Sequence, residues 1–106
     1  MHKHSIRYTQ QAVDDIDVIF DYIALDNHDA ALKMLEEFEN CISRLAQTPY
    51  IGAAIRTDEQ AIITPGYRYM VVSPYMVFYR VADGEARIGR ILHSKQDWLQ
   101  SLFGRN

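Results

Sequence analysis

The spacing of apolar residues changes along the chain, and the change separates a helical first half from a β-rich second half. Ala12 or Val13, Ile16, Phe20 and Ile23 recur every three or four residues, with Ile19 widening the stripe. Leu35, Phe38, Ile42 and Leu45 mark a second helical face that runs to about residue 46. The polar run Asp26-Asn27-His28-Asp29 ends the first helix and caps the second. So short a connection predicts an antiparallel hairpin. Thr9 is the expected N-cap of the first helix. Asp14 and Asp15 are expected near its start, where the positive end of the dipole favours carboxylates. Thr48-Pro49 stops the second helix, and Gly52 follows in a loop.

From Tyr67 onward the period is two. Tyr67, Tyr69 and Val71 alternate with Arg68, Met70 and Val72; Tyr75, Val77, Tyr79 and Val81 alternate with Met76, Phe78 and Arg80. This predicts strands over residues 67–73 and 75–82, joined at Ser73-Pro74. Asp83-Gly84 is a two-residue hairpin signal before a third strand over residues 86–93. Apolar groups on both faces of the middle strand predict burial along most of it. The third strand has a parity conflict, because Ile88 shares a face with Arg90 and Leu92 while Ile91 shares one with Gly89 and His93. A bulge near Gly89 resolves it. Shorter strands are expected over residues 4–8, with Ile6 and Tyr8 on one face, and over residues 61–64, ahead of Pro65-Gly66. After His93, Ser94 is expected to cap a short helix in which Trp98, Leu99 and Leu102 pack.

The order predicts an α+β fold of two layers: an N-terminal strand, an antiparallel helical hairpin packed on an antiparallel β-meander, and a short C-terminal helix. With 106 residues, 48% of them hydrophobic, residues 1–106 read as one domain with a core of its own. Cys41 is the single cysteine, so no internal disulfide is possible, and it reads as a small core residue. No Cys/His spacing suits a metal, and Asp14, Asp17 and Asp21 read as a solvated helix face; neither metal nor cofactor is expected. No apolar run is long enough to span a membrane, and none resembles a signal peptide, so the reading is cytoplasmic without membrane association.

Net charge adds a constraint. Fourteen acids against eleven lysines and arginines leave the chain at −3. Eleven of the acids fall before residue 60, whereas Arg68, Arg80, Arg87, Arg90, Lys95 and Arg105 outnumber the acids that follow Tyr67. A net acidic chain is poorly suited to gripping DNA directly on its own.

Four stretches, IRYTQQAVDDIDVIFDYIA, ISRLAQTPYIGAAIR, GYRYMVVSPYMVFYRV and RIGRILHSKQDW, carry a family resemblance. The sequence resembles the RelE/ParE superfamily of toxins from type II toxin–antitoxin modules, over nearly its whole length. The marks are Ala12-Val13-Asp14-Asp15-Ile16, the Pro49 and Gly52 spacing, Arg68, Tyr79-Arg80 and Ile91-Leu92-His93. The resemblance implies a toxin held inactive by a cognate antitoxin. It implies either a ParE-like inhibitor of DNA gyrase, of the plasmid-stabilisation type, or a RelE-like ribosome-dependent endoribonuclease. A degenerate member that poisons nothing is a third possibility.

RNA cleavage without metal needs an acid, a base and cations for the phosphorane charge. His93 could serve as acid or base, since its reference pKa is about 6.5. Arg68, Arg90 and Arg56 could clamp phosphate, with Tyr69 or Lys95 nearby. The bland alternatives are, for His93, a strand-end histidine bonded to backbone or to Asp97 and, for Arg68, a structural arginine paired with an acid on the helical hairpin. Residues 52–64 carry one arginine and two acids where RelE-like members are strongly basic, which favours the ParE-like side. A gyrase inhibitor needs a complementary surface instead. Arg56, Tyr69, Arg80, Trp98, Leu102 and Phe103 are the candidates for contact, Trp98 and Phe103 being anchors of the kind that dominate interfaces.

Overall fold

The computed structural model describes residues 4–55 and 66–103. Strand β1 (Ser5–Tyr8) leads into helix α1 (Gln10–Asp26) and helix α2 (His28–Ser43), which ends in a 3-10 turn at Arg44–Ala46. Strands β2 (Ala53–Ala54), β3 (Tyr67–Val72), β4 (Tyr75–Ala82) and β5 (Glu85–His93) follow, then helix α3 (Trp98–Phe103). The expected strand over residues 61–64 lies outside the described residues.

Among the described residues the sheet has five strands in the order β1-β5-β4-β3-β2. β3, β4 and β5 form the antiparallel meander. β1 lies parallel to β5, with Ser5 opposite Glu85 and Tyr8 opposite Ile88, so the sheet is mixed. Strand-period patterning carries no information about partner or direction, which is why the sequence leaves the seat of β1 open.

Local chemistry sets the element boundaries. The Thr9 hydroxyl accepts from the Ala12 amide at 3.1 Å and starts α1. Asn27 ends one helix and begins the next: its amide donates to the Ile23 carbonyl at 2.9 Å, and its side chain accepts from the Ala30 amide at 3.0 Å. At the β4–β5 turn Asp83 and Gly84 have φ of 52° and 74°, the left-handed pair a two-residue hairpin requires. The parity conflict in β5 is resolved as expected. Phe78 pairs with Arg90 and Tyr79 with Ile88, leaving Gly89 as the extra residue, so Ile88 and Ile91 both reach the core.

Two expectations fail locally. No acidic residue sits in the first turn of α1; Asp14 and Asp15 lie a turn further in, and Asp15 is held by the sheet rather than by the helix dipole. Ser94 does not cap the last helix. Its amide donates to the Pro74 carbonyl at 2.9 Å in the turn after β5, and α3 begins only at Trp98.

Helices α1 and α2 cover one face of the sheet. Ala12, Phe38, Ile42 and Leu45 pack there against Met70, Val72, Tyr75, Val77, Tyr79, Ile88 and Ile91. The opposite face has its own apolar patch. Phe78 is fully buried on that face, with the Trp98 ring stacked on it at 5.4 Å and Tyr69 tilted against it at 6.3 Å. β4 is therefore buried on both faces at its centre, as its composition predicts.

Candidate functional site

The three residues weighed for chemistry sit in two separate places. Arg68 faces the helical layer from β3. Its guanidinium donates to the carbonyls of Gly52 at 2.7 Å and Tyr50 at 3.2 Å, and lies 5.1 Å from the centre of the Tyr50 ring. It fastens the loop between α2 and β2, and its partners are loop carbonyls rather than the acid on the helical hairpin that the sequence suggests. Tyr79, the cross-strand partner of Arg68, fastens the same loop from beneath. Its hydroxyl donates to the Pro49 carbonyl at 2.8 Å and accepts from the Gly52 amide at 2.9 Å, in a fully buried site. Burial pushes the Tyr79 phenol above its ordinary pKa. A Cβ at residue 52 would stand 2.6 Å from that hydroxyl, so the Pro49–Gly52 spacing is a docking requirement of Tyr79.

Arg90 and His93 sit on β5. Beyond Tyr8 the strand β1 has ended, and α1 crosses the edge of β5 in its place. Thr9 donates its amide to the Ile88 carbonyl at 3.0 Å and its hydroxyl to the Gly89 carbonyl at 2.9 Å. One turn on, the Asp15 carboxylate accepts from the Ile91 amide at 2.9 Å and from the Arg90 guanidinium at 2.8 and 3.0 Å. The two-pronged bond raises the Arg90 pKa further. Arg90 also donates to the Ser101 carbonyl of α3 at 3.4 Å. Sequence reasoning missed Asp15. The available signal was its position among Ala12, Ile16 and Ile19, an acid set into the apolar stripe of α1.

His93 ends β5 half-buried. Its Nδ1 accepts from the Lys95 amide at 3.1 Å, and its ring meets Tyr75 edge-on at 5.4 Å. An accepting Nδ1 puts the proton of the neutral ring on Nε2, so the ring can donate there but cannot accept. A depression of about 180 Å³ is lined by Asp15, Val18, Tyr75, Arg90 and His93 among others. Arg68 is not part of it. By register, two strand spacings and four residues along the strand separate Arg68 from His93, roughly 16 Å between Cα atoms.

The contact candidates are also dispersed. Arg80 is exposed on the outer sheet face, 5.7 Å from the centre of the Tyr67 ring. Trp98 covers Phe78, Tyr69 flanks it, and Leu102 is half-buried in α3. Arg56 and the Phe103 side chain lie outside the described residues. Two apolar surfaces lie where the sequence reading expects an antitoxin to dock, on the helical hairpin and at the sheet edge, although the sequence does not name their residues. Val18, Tyr22 and Leu25 form a stripe on the outside of α1, exposed by 68%, 73% and 88%. A cleft of about 710 Å³ opens between α2 and β3, lined by Cys41, Arg44, Ile51, Met70 and Val72 among others. β2 pairs only with Arg68 and Tyr69, so among the described residues the edge of β3 beyond them has no strand beside it. No group of three or more potential metal-binding side chains occurs among the described residues, and no helix there is long and apolar enough to cross a membrane.

Comparison with known proteins agrees with this architecture. The family described as "ParE toxin of type II toxin-antitoxin system, parDE" matches residues 6–98. The "Toxin ParE1" of Mycobacterium tuberculosis is 39% identical over 70 residues, which are 65% of this chain and 66% of that protein. The match thus spans about two thirds of that relative. The "Toxin RelE2" of Caulobacter vibrioides is 31% identical over 87 residues, covering 82% of this chain and 91% of that one. A solved structure described as "Chromosomal ParDE TA system from P. aeruginosa" superposes with a TM-score of 0.70 at 28% identity, covering 88% of this chain and 98% of the other. The E. coli DinJ-YafQ toxin-antitoxin complex shares the fold, with a TM-score of 0.60 at 16% identity over 96% of this chain and 99% of that one.

Proposed function

The chain belongs to the ParE toxin family of type II toxin–antitoxin systems, and from that premise we propose that it is a cytoplasmic growth inhibitor that acts by binding DNA gyrase and is silenced by a cognate antitoxin. The observation that carries the non-enzymatic reading is the dispersal of the candidate catalytic groups. Arg68 is spent on the loop carbonyls, away from the depression that Arg90 shares with His93, and Arg90 is held there by Asp15, so the three do not meet at one centre. General acid–base cleavage needs such convergence. A protein that works by occupying a partner's surface does not.

The antitoxin reading draws on the two apolar surfaces. Val18, Tyr22 and Leu25 stand at helical spacing on α1, suited to the apolar face of a partner helix. The open edge of β3 beside the α2 cleft suits an added strand. The likeness to a solved ParDE toxin–antitoxin system supports an antitoxin as the partner.

A second reading, a ribosome-dependent endoribonuclease, is favoured by the "Toxin RelE2" relative and by the depression that His93 shares with Arg90. Pulse-labelling after induction separates the two. Early loss of DNA synthesis, with purified protein blocking gyrase supercoiling, is the expected result. Early loss of translation with mRNA cut in a manner that His93→Ala abolishes would replace the gyrase reading with the nuclease. Induction without any growth defect would overturn both and leave the degenerate member.

A further inference from the structure

Three arginines from three adjacent strands fall on one line across the outer face of the sheet. Arg7 of β1 lies opposite Arg87 of β5, and Arg87 lies opposite Arg80 of β4. Tyr67 of β3 continues the line opposite Arg80. Directly paired residues share a face. That face is the outer one, because the neighbours of these residues in sequence, Ile6, Tyr79, Val81, Ala86 and Ile88, pack into the helix-covered core.

The row is unevenly neutralised. Arg87 in the middle donates to Glu85 at 2.8 Å and Asp83 at 3.2 Å. Arg7 and Arg80 on either side are exposed, and among the described residues neither has an ion pair. The other strand arginines, Arg68 and Arg90, are engaged by the loop and by Asp15. Two guanidinium groups therefore flank a neutralised centre. Two strand spacings set the Cα atoms of Arg7 and Arg80 about 10 Å apart.

We propose that this row docks an acidic helix of a protein partner, laid across the strands, with carboxylates at positions i and i+7. Seven residues of helix advance about 10.5 Å and return to nearly the same face, which matches the gap between Arg7 and Arg80. A guanidinium fork is suited to bind each carboxylate with two hydrogen bonds. Tyr67 beside Arg80 supplies an aromatic neighbour of the kind that anchors interfaces. Nucleic acid fits less well: its affinity depends on neutralising many phosphates, and here two arginines act beside Asp83 and Glu85 in a chain of net charge −3. The surface lies on the opposite side of the sheet from the apolar stripe of α1, and the inference does not depend on which target the toxin poisons.

The test uses the full-length protein and fluorescence anisotropy with three probes: an alanine-based helix with glutamates at i and i+7, the same helix with glutamines, and a single-stranded poly(dT) oligonucleotide. The acidic helix should bind. Its affinity should fall by about tenfold or more, both on exchange to the glutamine helix and in the Arg7→Gln/Arg80→Gln double variant. The double variant should keep its thermal midpoint within about 2 °C, since it gives up only exposed contacts. The proposal is overturned if the acidic helix does not bind or binds the double variant equally well. It is also overturned if the oligonucleotide binds more tightly through the same two arginines. Concentration-dependent self-association lost in the double variant would instead assign the row to a second copy of the chain, whose own Asp14 and Asp21 lie seven residues apart on α1.

Discussion

Tyr79 belongs to the core by its ring and to a loop by its hydroxyl. The sequence identifies the first role, because the residue sits in the inward register of an alternating strand. The second joins residue 79 to residues 49 and 52, and no local pattern encodes a bond of that range. Removing the hydroxyl leaves a buried amide and a buried carbonyl unsatisfied, so Tyr79→Phe should cost about 2–3 kcal/mol in urea unfolding. Gly52→Ala should destabilise as well, because its new methyl would be driven against the Tyr79 ring and the Tyr69 carbonyl. If both variants unfold at the wild-type midpoint, the clamp is not what holds this loop. The arginine opposite Tyr79 teaches the same lesson about site reading. Arg68 was legible as a residue of consequence, but what it grips is loop backbone, and only the tertiary fold brings those carbonyls to it.

At the scale of elements, helix α1 takes over from strand β1 at the edge of β5. Thr9 and Asp15 satisfy backbone groups that a longer β1 would have paired, so the edge is covered without another strand. Asp15→Ala orphans the Ile91 amide and a largely buried arginine together. The expected loss is about 2–3 kcal/mol, with Asp15→Asn retaining part of it, read from chemical denaturation. At the far face, α3 is only six residues long and is held by contact rather than by its own helix propensity. Trp98→Ala should strip the cover from Phe78, lower stability by about 2 kcal/mol and increase binding of a hydrophobic dye. Unchanged dye binding would mean that α3 does not shield that face in solution. The helical hairpin, the meander, the Asp83-Gly84 turn and the Gly89 bulge were all legible, because each rests on periodicity or on turn chemistry within a dozen residues.

The whole molecule is a sheet with a helical layer on one side and a small aromatic cap on the other. Burial raises the pKa of Tyr8, Tyr75, Tyr79 and the Cys41 thiol. In each case the folded state holds its proton above the pH at which the unfolded chain gives it up. The stabilising contribution is complete below the unfolded values and fades as pH rises through the folded ones. Unfolding midpoints should therefore be flat near neutrality and decline above about pH 9, where an unfolded thiol and then unfolded phenols ionise. The fully buried Tyr79 contributes at most about 1.4 kcal/mol per pH unit to that decline. Tyr79→Phe should flatten the alkaline limb of a stability-versus-pH curve; an unchanged limb would place the titration elsewhere.

Hydrophobic period, turn residues and caps determined by themselves that two helices precede an antiparallel meander, because those signals are local. The family resemblance followed from the same ordered marks. Tertiary structure alone decided that β1 lies parallel to β5, that Asp15 holds Arg90, that Arg68 and His93 stand far apart, and that Arg7, Arg87 and Arg80 form one row. Each of these is a pairing between residues distant in sequence. A pairing of that kind is fixed by strand register and helix seating, and both are set by the packing of the whole core.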